Sequence, residues 1–309
     1  MPYRFDYGNL QPMNKNLVKW LLFISLCLIW GSSFKLMKDS GDTLNGAQIA
    51  GIRIFSAALA FVPFALFHFF KLPIKRIPLV ILSAIIGNLI PAILFATAVV
   101  HIDGSLAGIL NSLTPICVVL IGILFYKDKI ESDKLIGVLT GFIGLVLLIL
   151  APVFSGNKSI SFENEGYILL TVLATLLYGF NVNMVAHKMK DLNPIHVATV
   201  SLSFMIIPAG ILLWQQGFFA MDFSNPALQG DIFTASTLGI LGSAVATVLF
   251  YMLLKTSGGL FASLVTYGIP FVALFWGFLS NDKITWVQIS CLLLILLGVY
   301  LANRNKTAK

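Results

Sequence analysis

Charged residues are scarce in this sequence. Asp, Glu, Lys and Arg make up only 11% of its 309 residues, whereas 58% of the residues are hydrophobic. A soluble domain has about a quarter charged residues and about half apolar ones. The mean hydropathy is +0.92, and the polar connectors are too short to bury a core of their own. The composition therefore excludes a soluble globular protein and predicts a fold that lies in the lipid bilayer.

Cysteine is also rare. Cys27, Cys117 and Cys291 lie far apart in apolar runs, which argues against both a disulfide framework and a metal site. The chain has no HExxH motif, and none of its serines combines a G-x-S-G setting with a histidine inside a predicted span. We therefore expect no metal, no cofactor and no enzymatic activity.

Apolar runs of membrane-spanning length recur from Leu17 to the C-terminus. A spanning helix needs about 20 such residues, and these runs are too continuous for the strands of a membrane barrel. The pattern predicts an all-α polytopic membrane protein with ten transmembrane helices. The predicted spans are 17–36, 47–70, 78–100, 104–126, 133–152, 166–186, 194–216, 231–254, 259–279 and 285–302.

The basic residues fall mostly on one side of these predicted spans. With the N-terminus in the cytoplasm, fifteen of the 20 Lys and Arg are cytoplasmic, four are external and Arg53 lies within a span. This asymmetry follows the positive-inside rule and predicts that both termini are cytoplasmic. The net charge of +7 is then a consequence of topology, so we expect no nucleic-acid partner.

Two parts of the chain resemble each other. The segment GSLAGILNSLTPICVVLIGILFYKDKI (104–130) aligns with GLFASLVTYGIPFVALFWGFLSNDKI (259–284), and LIWGSSF aligns with LLYGFNV, which places Gly31 on Gly179. Because five is odd, two five-helix halves cross the membrane in opposite directions. Such inverted-topology repeats are typical of secondary transporters, whose solute site lies between the halves. The predicted division is a cytoplasmic segment 1–16, a first five-helix repeat 17–152, an external linker 153–165, a second five-helix repeat 166–302 and a cytoplasmic tail 303–309.

Neutral polar and aromatic side chains recur deep in the predicted spans. An unpaired polar group in hydrocarbon costs several kcal/mol, so these side chains should face other helices or an aqueous cavity. We expect them to line a central solute site, with interhelical hydrogen bonding as the alternative role. For Trp30, a place in the interfacial aromatic belt is a further alternative. The predicted substrate-binding residues are Trp30, Ser33, Asn88, Asn111, Thr114, Tyr178, Asn181, Thr247, Tyr251, Thr266 and Tyr267, and Ser83, Gly87 and Ser243 lie on the same stretches of helix.

Three prolines are predicted helix-break or gating positions. Pro115 and Pro270 occupy equivalent places in the two similar segments, and Pro91 lies in the third span. Each removes a backbone donor and frees a carbonyl group, and paired breaks in corresponding segments indicate a binding site.

Arg53 is the only charged residue that we place within a span. It is a possible charge site of the solute cavity, or its long side chain extends to the membrane interface. No Asp or Glu falls in the middle of a predicted span, so the sequence shows no acid that would bind a coupling ion. The small-residue seam GVLTG (137–141) with Gly144 favours packing within the bundle over a dimer contact, which leaves a monomer or a homodimer.

The order of these features resembles the EamA-domain branch of the drug/metabolite transporter superfamily. The resemblance rests on IWGSSF in the first span, an arginine early in the second, LTPICVVLIGILFYKDKI, and its echo YGIPFVALFWGFLSNDKI. Where the family has a glycine and a glutamate at the helix end, this chain has Lys127-Asp128 and Asn281-Asp282.

This resemblance implies a bacterial inner-membrane carrier that works by alternating access. Its expected solutes are amino acids, their derivatives or similar small polar or aromatic compounds, and the expected direction is export. Its expected partners are a small-molecule solute and the lipid bilayer. A passive channel is the alternative function, and an intramembrane enzyme is a more distant one.

Overall fold

The computed structural model describes residues 15–99, 101, 110–154, 165–279 and 285–303, and these ranges contain helices and no strand. Two π-helical segments, Ile85–Leu89 and Ile240–Val245, join consecutive α-helices. The α-helices are α1 (Lys15–Asp39), α2 (Gly46–Phe69), α3 (Ile77–Ala84), α4 (Ile90–Val99), α5 (Thr114–Tyr126), α6 (Ser132–Phe154), α7 (Glu165–Lys188), α8 (Pro194–Ser203), α9 (Ile206–Gln215), α10 (Pro226–Gly239), α11 (Ala246–Ser263), α12 (Val265–Leu279) and α13 (Trp286–Asn303).

Seven helical stretches in the described ranges are long and apolar enough to cross a membrane: Asn16–Ser33, Gly46–Phe69, Ile74–Ala98, Gly166–Lys188, Pro194–Gln215, Pro226–Ser263 and Trp286–Asn303. The chain is therefore a multi-pass, all-helical membrane protein. Shorter apolar helices, Thr114–Tyr126 and Val265–Trp276, lie within the predicted fourth and ninth spans. The number of ten spans and their division into two inverted halves stay predictions.

Some predicted segments fall outside the described residues. They include most of the N-terminal segment 1–16, nearly all of the linker 153–165, most of the tail 303–309, the first residues of the 104–130 motif, and the pair Asn281-Asp282.

The predicted gap between the eighth and ninth spans is a sharp local kink in the structure. The helical chain runs from Pro226 to Ser263, and only Gly258 within α11 leaves helical geometry, with φ 79° and ψ 168°. An L-residue with a side chain rarely adopts this conformation, whereas glycine adopts it without steric cost. The chain therefore turns at a single residue there.

Two glycines bring helices that are distant in sequence into close contact. A Cβ added at Gly31 of α1 would lie 2.5 Å from Val272 Cβ of α12, and one added at Gly179 of α7 would lie 2.9 Å from Cys117 Cβ of α5. Small residues permit such close approach between membrane helices. The two aligned glycines of the LIWGSSF and LLYGFNV segments thus play equivalent packing roles.

Helices α6 and α13 form the most extensive helix pair. Gly137 and Gly141 of α6 face Gly298 and Ala302 of α13, and an added Cβ at Gly298 would lie 2.5 Å from the Gly141 Cα. The seam predicted from GVLTG therefore packs within the bundle.

Polar contacts at one end of the bundle position α2. Asn45 caps its N-terminus in a reciprocal pair with Gln48, and Gln48 Nε2 donates to the Gln216 carbonyl at 3.0 Å. Buried Asp231 of α10 accepts from Thr43 N and Oγ1, both at 2.7 Å. These contacts link the start of α2 to α9 and α10.

Of the three predicted helix-break prolines, Pro91 and Pro115 lie in the first turn of a helix, and Pro270 lies inside α12. A turn at Ser112 and Leu113 precedes α5, whose first turn contains Pro115. A turn at Leu264 separates α11 from α12, and Pro270 follows six residues later. Pro91 lies in the first turn of α4, directly after a π-helical segment. A first turn tolerates proline because its N–H groups have no partner within the helix.

Candidate solute-binding site

The two π-helical segments lie at corresponding positions of the chain. Ile85–Leu89 (IIGNL) joins α3 to α4, and Ile240–Val245 (ILGSAV) joins α10 to α11. In a regular α-helix the Ala246 N–H would donate to the Gly242 carbonyl. In the second π-segment it donates to the Leu241 carbonyl instead. Such π-bulges are frequent at functional sites, since they release a backbone acceptor inside the bundle.

Side chains from α1 and α2 use this released carbonyl group. Trp30 Nε1 donates to the Gly242 oxygen at 3.0 Å, and Arg53 Nη2 approaches the same oxygen at 3.4 Å. The Trp30 ring also packs against Phe250, with 5.5 Å between centroids. The indole N–H of Trp30 therefore bonds inside the helix bundle and not among lipid headgroups.

The backbone of Arg53 packs closely against α10, and its side chain bonds inside the bundle. A Cβ at Gly239 of α10 would overlap the Arg53 carbonyl group, so α2 and α10 touch at this point. The Arg53 Nε donates to Ser243 Oγ at 2.7 Å, and its guanidinium interacts electrostatically with Tyr178 of α7. The sequence left two roles for Arg53, a charge in the solute cavity or a side chain that extends to the membrane interface. The side-chain geometry fits the first role.

Tyr178 connects Arg53 to an aromatic surface. Its ring is stacked on Phe95 of α4, with 6.0 Å between centroids and 26° between planes. A flat solute group could stack beside such a pair, as aromatic rings prefer offset stacking.

A second group of polar side chains lies on the other π-segment and its neighbours. Thr247 Oγ1 and Asn88 Oδ1 are 3.5 Å apart, as are Ser83 Oγ and the Tyr251 hydroxyl. Asn181 of α7 interacts with the same Tyr251 hydroxyl. This group joins α3, α7 and α11 at one level of the bundle.

Asn181 carries an unsatisfied acceptor. Its side chain fills the space left by Gly87, where an added Cβ would lie 2.5 Å from Asn181 Cγ. The residue is only 5% exposed, and its Oδ1 is the one buried side-chain atom in the described ranges without a hydrogen-bond partner. Leaving such a group unpaired costs about 1–3 kcal/mol. A solute that donates a hydrogen bond would remove this cost.

A cavity of about 200 Å³ reaches this polar cluster. It lies between α7, α8 and α11, and Lys190 and Lys255 line it near the connector from α7 to α8. Tyr251 belongs both to the cavity wall and to the polar cluster. Tyr251 therefore connects the cavity wall with the polar cluster that contains Asn181.

We refer to Trp30, Arg53, Ser83, Asn88, Tyr178, Asn181, Ser243, Thr247 and Tyr251 as the central cluster. Six of these were predicted substrate-binding residues and Arg53 was the predicted charge site. The sequence analysis missed the Gly242 carbonyl group and the ring of Phe95. The recurrence of IIGN as ILGS is the signal that would have singled out Gly242.

Other predicted site residues bond within their own helical turns or to other helices. Ser33 donates to the Ile29 carbonyl, Thr114 to the Asn111 carbonyl and Thr266 to the Ser263 carbonyl, at 2.8, 2.6 and 2.9 Å. The Tyr267 side chain is fully buried, and its hydroxyl donates to the Val138 carbonyl of α6 at 2.9 Å. A role for these residues in solute binding stays a prediction.

No group of three or more His, Cys, Asp or Glu side chains that could hold a metal ion occurs in the described part of the chain. The central cluster offers neutral donors and acceptors, one guanidinium and aromatic rings. It can bind and orient a polar solute.

A polar cluster between bundled, membrane-length helices, with five of its nine residues buried, is the internal site expected of a polytopic membrane transporter. The model of the EamA-like transporter family matches residues 18–150 and again residues 166–304. The chain belongs to this family, and it is a transporter of small solutes.

Individual relatives have similar lengths. An uncharacterized transporter of Archaeoglobus fulgidus is 24% identical over 93% of this chain and 99% of its own. The uncharacterized transporter YoaV of Bacillus subtilis is 25% identical over 92% and 97%, respectively. The uncharacterized inner membrane transporter YedA of Escherichia coli K12 is 24% identical over 90% of each chain.

A solved crystal structure superposes on this chain with a TM-score of 0.72. The match covers 94% of this chain and 97% of the other, with 14% sequence identity. At this identity the likeness shows the fold alone.

Proposed function

We propose that this protein is a secondary transporter that moves a small polar or aromatic metabolite by alternating access, with the central cluster as its solute site. The observation that carries this proposal is the unpaired Oδ1 of buried Asn181. A purely structural polar network would satisfy its acceptors, because an unpaired one costs stability. An acceptor kept free beside Tyr178 and Tyr251 is instead suited to a ligand that comes and goes.

The packing of the chain supports a two-half mechanism. Gly31 in the first predicted half packs against Val272 in the second, and Gly179 in the second half packs against Cys117 in the first. Each half therefore places the same helix against a helix of the other half. The two π-segments, one in each predicted half, are a second feature that occurs in both halves. The regions 17–152 and 166–302 would then rock as two inverted units around the central cluster, as in other inverted-repeat transporters.

The cavity with Lys190 and Lys255 supports access from the cytoplasm. Both lysines fall on the side that the positive-inside rule assigns to the cytoplasm. With both termini on that side, the solute enters from the cytoplasm, binds at the central cluster and leaves on the other face of the inner membrane. Export is therefore the direction that we propose.

The test begins with solute discovery on the purified full chain. A thermal-stability screen against amino acids, purines, sugars and aromatic acids should yield a class that raises the unfolding temperature by mass action. The hit is then assayed for counterflow, the uptake of labelled solute into proteoliposomes that are preloaded with unlabelled solute. A carrier shows saturable counterflow, whereas a channel equilibrates solute without it.

Variants connect the transport to the proposed site. Tyr178→Ala removes the ring that stacks on Phe95 and should abolish counterflow, while the matched variant Tyr300→Ala removes an exposed tyrosine from α13. Counterflow that is absent from the wild type, or that survives unchanged in Tyr178→Ala, would contradict the proposal.

A further inference from the structure

The charge of Arg53 has no counter-ion within the described part of the chain. Its hydrogen-bonding neighbours are Ser243 Oγ at 2.7 Å and the Gly242 carbonyl at 3.4 Å. The ion pairs in the described ranges lie elsewhere, and they involve Arg76 with Asp191, Lys134 with Glu131, and His187 with Asp128. Arg53 is thus a positive charge that neutral groups hold inside a helix bundle.

Such a charge is expensive to keep in a membrane. Neutral acceptors replace part of the lost hydration, but they do not neutralise the guanidinium, and intramembrane cations usually pair with an anion. Here Nε and one Nη2 hydrogen are used, and a guanidinium has five N–H donors in a planar fork. The remaining donors match the two oxygens of a carboxylate.

The cavity that Tyr251 lines has the same sign of charge. The residues that line the cavity include Lys190 and Lys255 and no Asp or Glu. Lys255 Nζ donates to the Leu192 carbonyl at 3.0 Å, so its charge also faces a neutral acceptor. Cavities with walls of one charge sign concentrate ions of the opposite sign. The cavity and Arg53 are independent observations that favour the same kind of solute.

We propose that the transported solute carries a single carboxylate, which binds the Arg53 guanidinium, and that the cavity lined by Lys190 and Lys255 attracts it. This inference rests on the proposed function, because it names the solute class of the same site. One carboxylate is specified because the central cluster contains one cation. The adjacent Tyr178–Phe95 pair would accommodate an unsaturated or aromatic body.

The test compares three small probes of nearly equal shape and different charge. Benzoate, benzamide and benzamidine carry charges of −1, 0 and +1 near neutral pH. Their apparent affinities are measured from the rise in unfolding temperature of the purified full chain in detergent. We expect benzoate to bind about tenfold more tightly than either other probe, since each charge-assisted bidentate pair is roughly twice as strong as a neutral one.

Variants locate this preference. Arg53→Gln should bring the three affinities within about threefold of each other, and Arg53→Lys should give an intermediate preference, because lysine keeps the charge but loses the planar fork. Lys134→Gln is the control: it removes a cation that pairs with Glu131 outside both the central cluster and the cavity. Its preference for benzoate should equal that of the wild type. If Arg53→Gln does not fold, the Arg53→Lys comparison still decides the question.

The outcomes separate this inference from the proposed function. Equal or reversed ranking of the probes in the wild type overturns the carboxylate proposal, and so does a benzoate preference that survives in both Arg53 variants. Failure of all three probes to bind at millimolar concentration overturns it too. The transporter proposal itself is judged separately, by counterflow of the solute found in the screen.

Discussion

Gly87 of the π-segment Ile85–Leu89 packs directly against Asn181 of α7, and any side chain at Gly87 would occupy the volume of the Asn181 amide. The corresponding glycine of the other π-segment, Gly242, packs against Ser33 of α1, with 3.0 Å from an added Cβ to Ser33 Oγ. In both cases a glycine of a π-segment faces a polar residue on a helix from the other predicted five-helix half. This crossed arrangement places the polar side chains between the two parts of the chain.

Gly87→Ala should therefore impair solute binding through Asn181. The added methyl group would lie 2.5 Å from Asn181 Cγ, so the amide must move, at a stability cost of about 1–3 kcal/mol. We expect a lower unfolding temperature and a weaker response to the screened solute.

Gly230→Ala is the control for this substitution. Gly230 lies in α10, and an added Cβ would meet nothing within 4 Å. Alanine in an exposed helix is about 0.5–1 kcal/mol more favourable than glycine, so this variant should be slightly more stable and bind solute normally. A normal solute response in Gly87→Ala would show that the Asn181 position is not critical.

Two buried tyrosines should behave differently when their hydroxyl groups are removed. Tyr267→Phe loses the 2.9 Å bond to the Val138 carbonyl and should cost about 1 kcal/mol of stability, with little change in solute affinity. Tyr251→Phe removes the 3.5 Å contact with Ser83 and the interaction with Asn181, and it changes a residue of the cavity wall. It should weaken solute binding more than stability. The reverse pattern in paired melting and binding assays would place the site at α12 instead.

Helix pairing between α6 and α13 should be intolerant of any side chain at Gly298. An added Cβ there lies 2.5 Å from the Gly141 Cα and 2.7 Å from the Gly137 carbonyl oxygen. Since backbone atoms cannot move aside as a flexible side chain can, Gly298→Val should cost at least about 2–3 kcal/mol or abolish folding. Gly166→Ala, with nothing within 4 Å, serves as the control. Detergent melting curves that match the wild type for Gly298→Val would contradict the close packing.

The pair His187–Asp128 should contribute little to stability. The His187 Nε2 lies 2.9 Å from Asp128 Oδ1, but the two side chains are 32% and 37% exposed. Such pairs are worth about 0–1 kcal/mol. A double-mutant cycle with His187→Ala and Asp128→Asn should therefore give a coupling energy in this range, and a coupling well above about 2 kcal/mol would indicate a buried network.

Much of the architecture is readable from the sequence because the length of an apolar run decides whether a helix spans the membrane. Trp30, Tyr178, Asn181 and Tyr251 were predicted as site residues for a related reason, since a polar group deep in a membrane span needs a polar neighbour. Family membership was likewise predicted from the order of the motifs, and the family model confirms it.

The rest depends on geometry that no local pattern encodes. A π-segment is a one-residue change of hydrogen-bond register, so IIGNL and ILGSAV read as ordinary helix. The partners of the Arg53 side chain, Ser243 and the Gly242 carbonyl, lie on a segment far along the chain. The bond from Tyr267 to Val138 depends on helix rotation, which the repeat alone does not determine.

The most direct test of the central cluster compares two asparagines on α7. Asn181 has an unpaired Oδ1, whereas Asn183 Nδ2 donates to the Val118 and Gly179 carbonyl groups at 2.9 and 3.0 Å. Leucine has nearly the shape of asparagine, so Asn181→Leu and Asn183→Leu are matched. Solute affinity and unfolding temperature are measured for both. The account predicts that Asn181→Leu loses solute binding and keeps or gains stability, while Asn183→Leu loses stability and keeps affinity. Solute binding that survives in Asn181→Leu and is lost in a folded Asn183→Leu would contradict it.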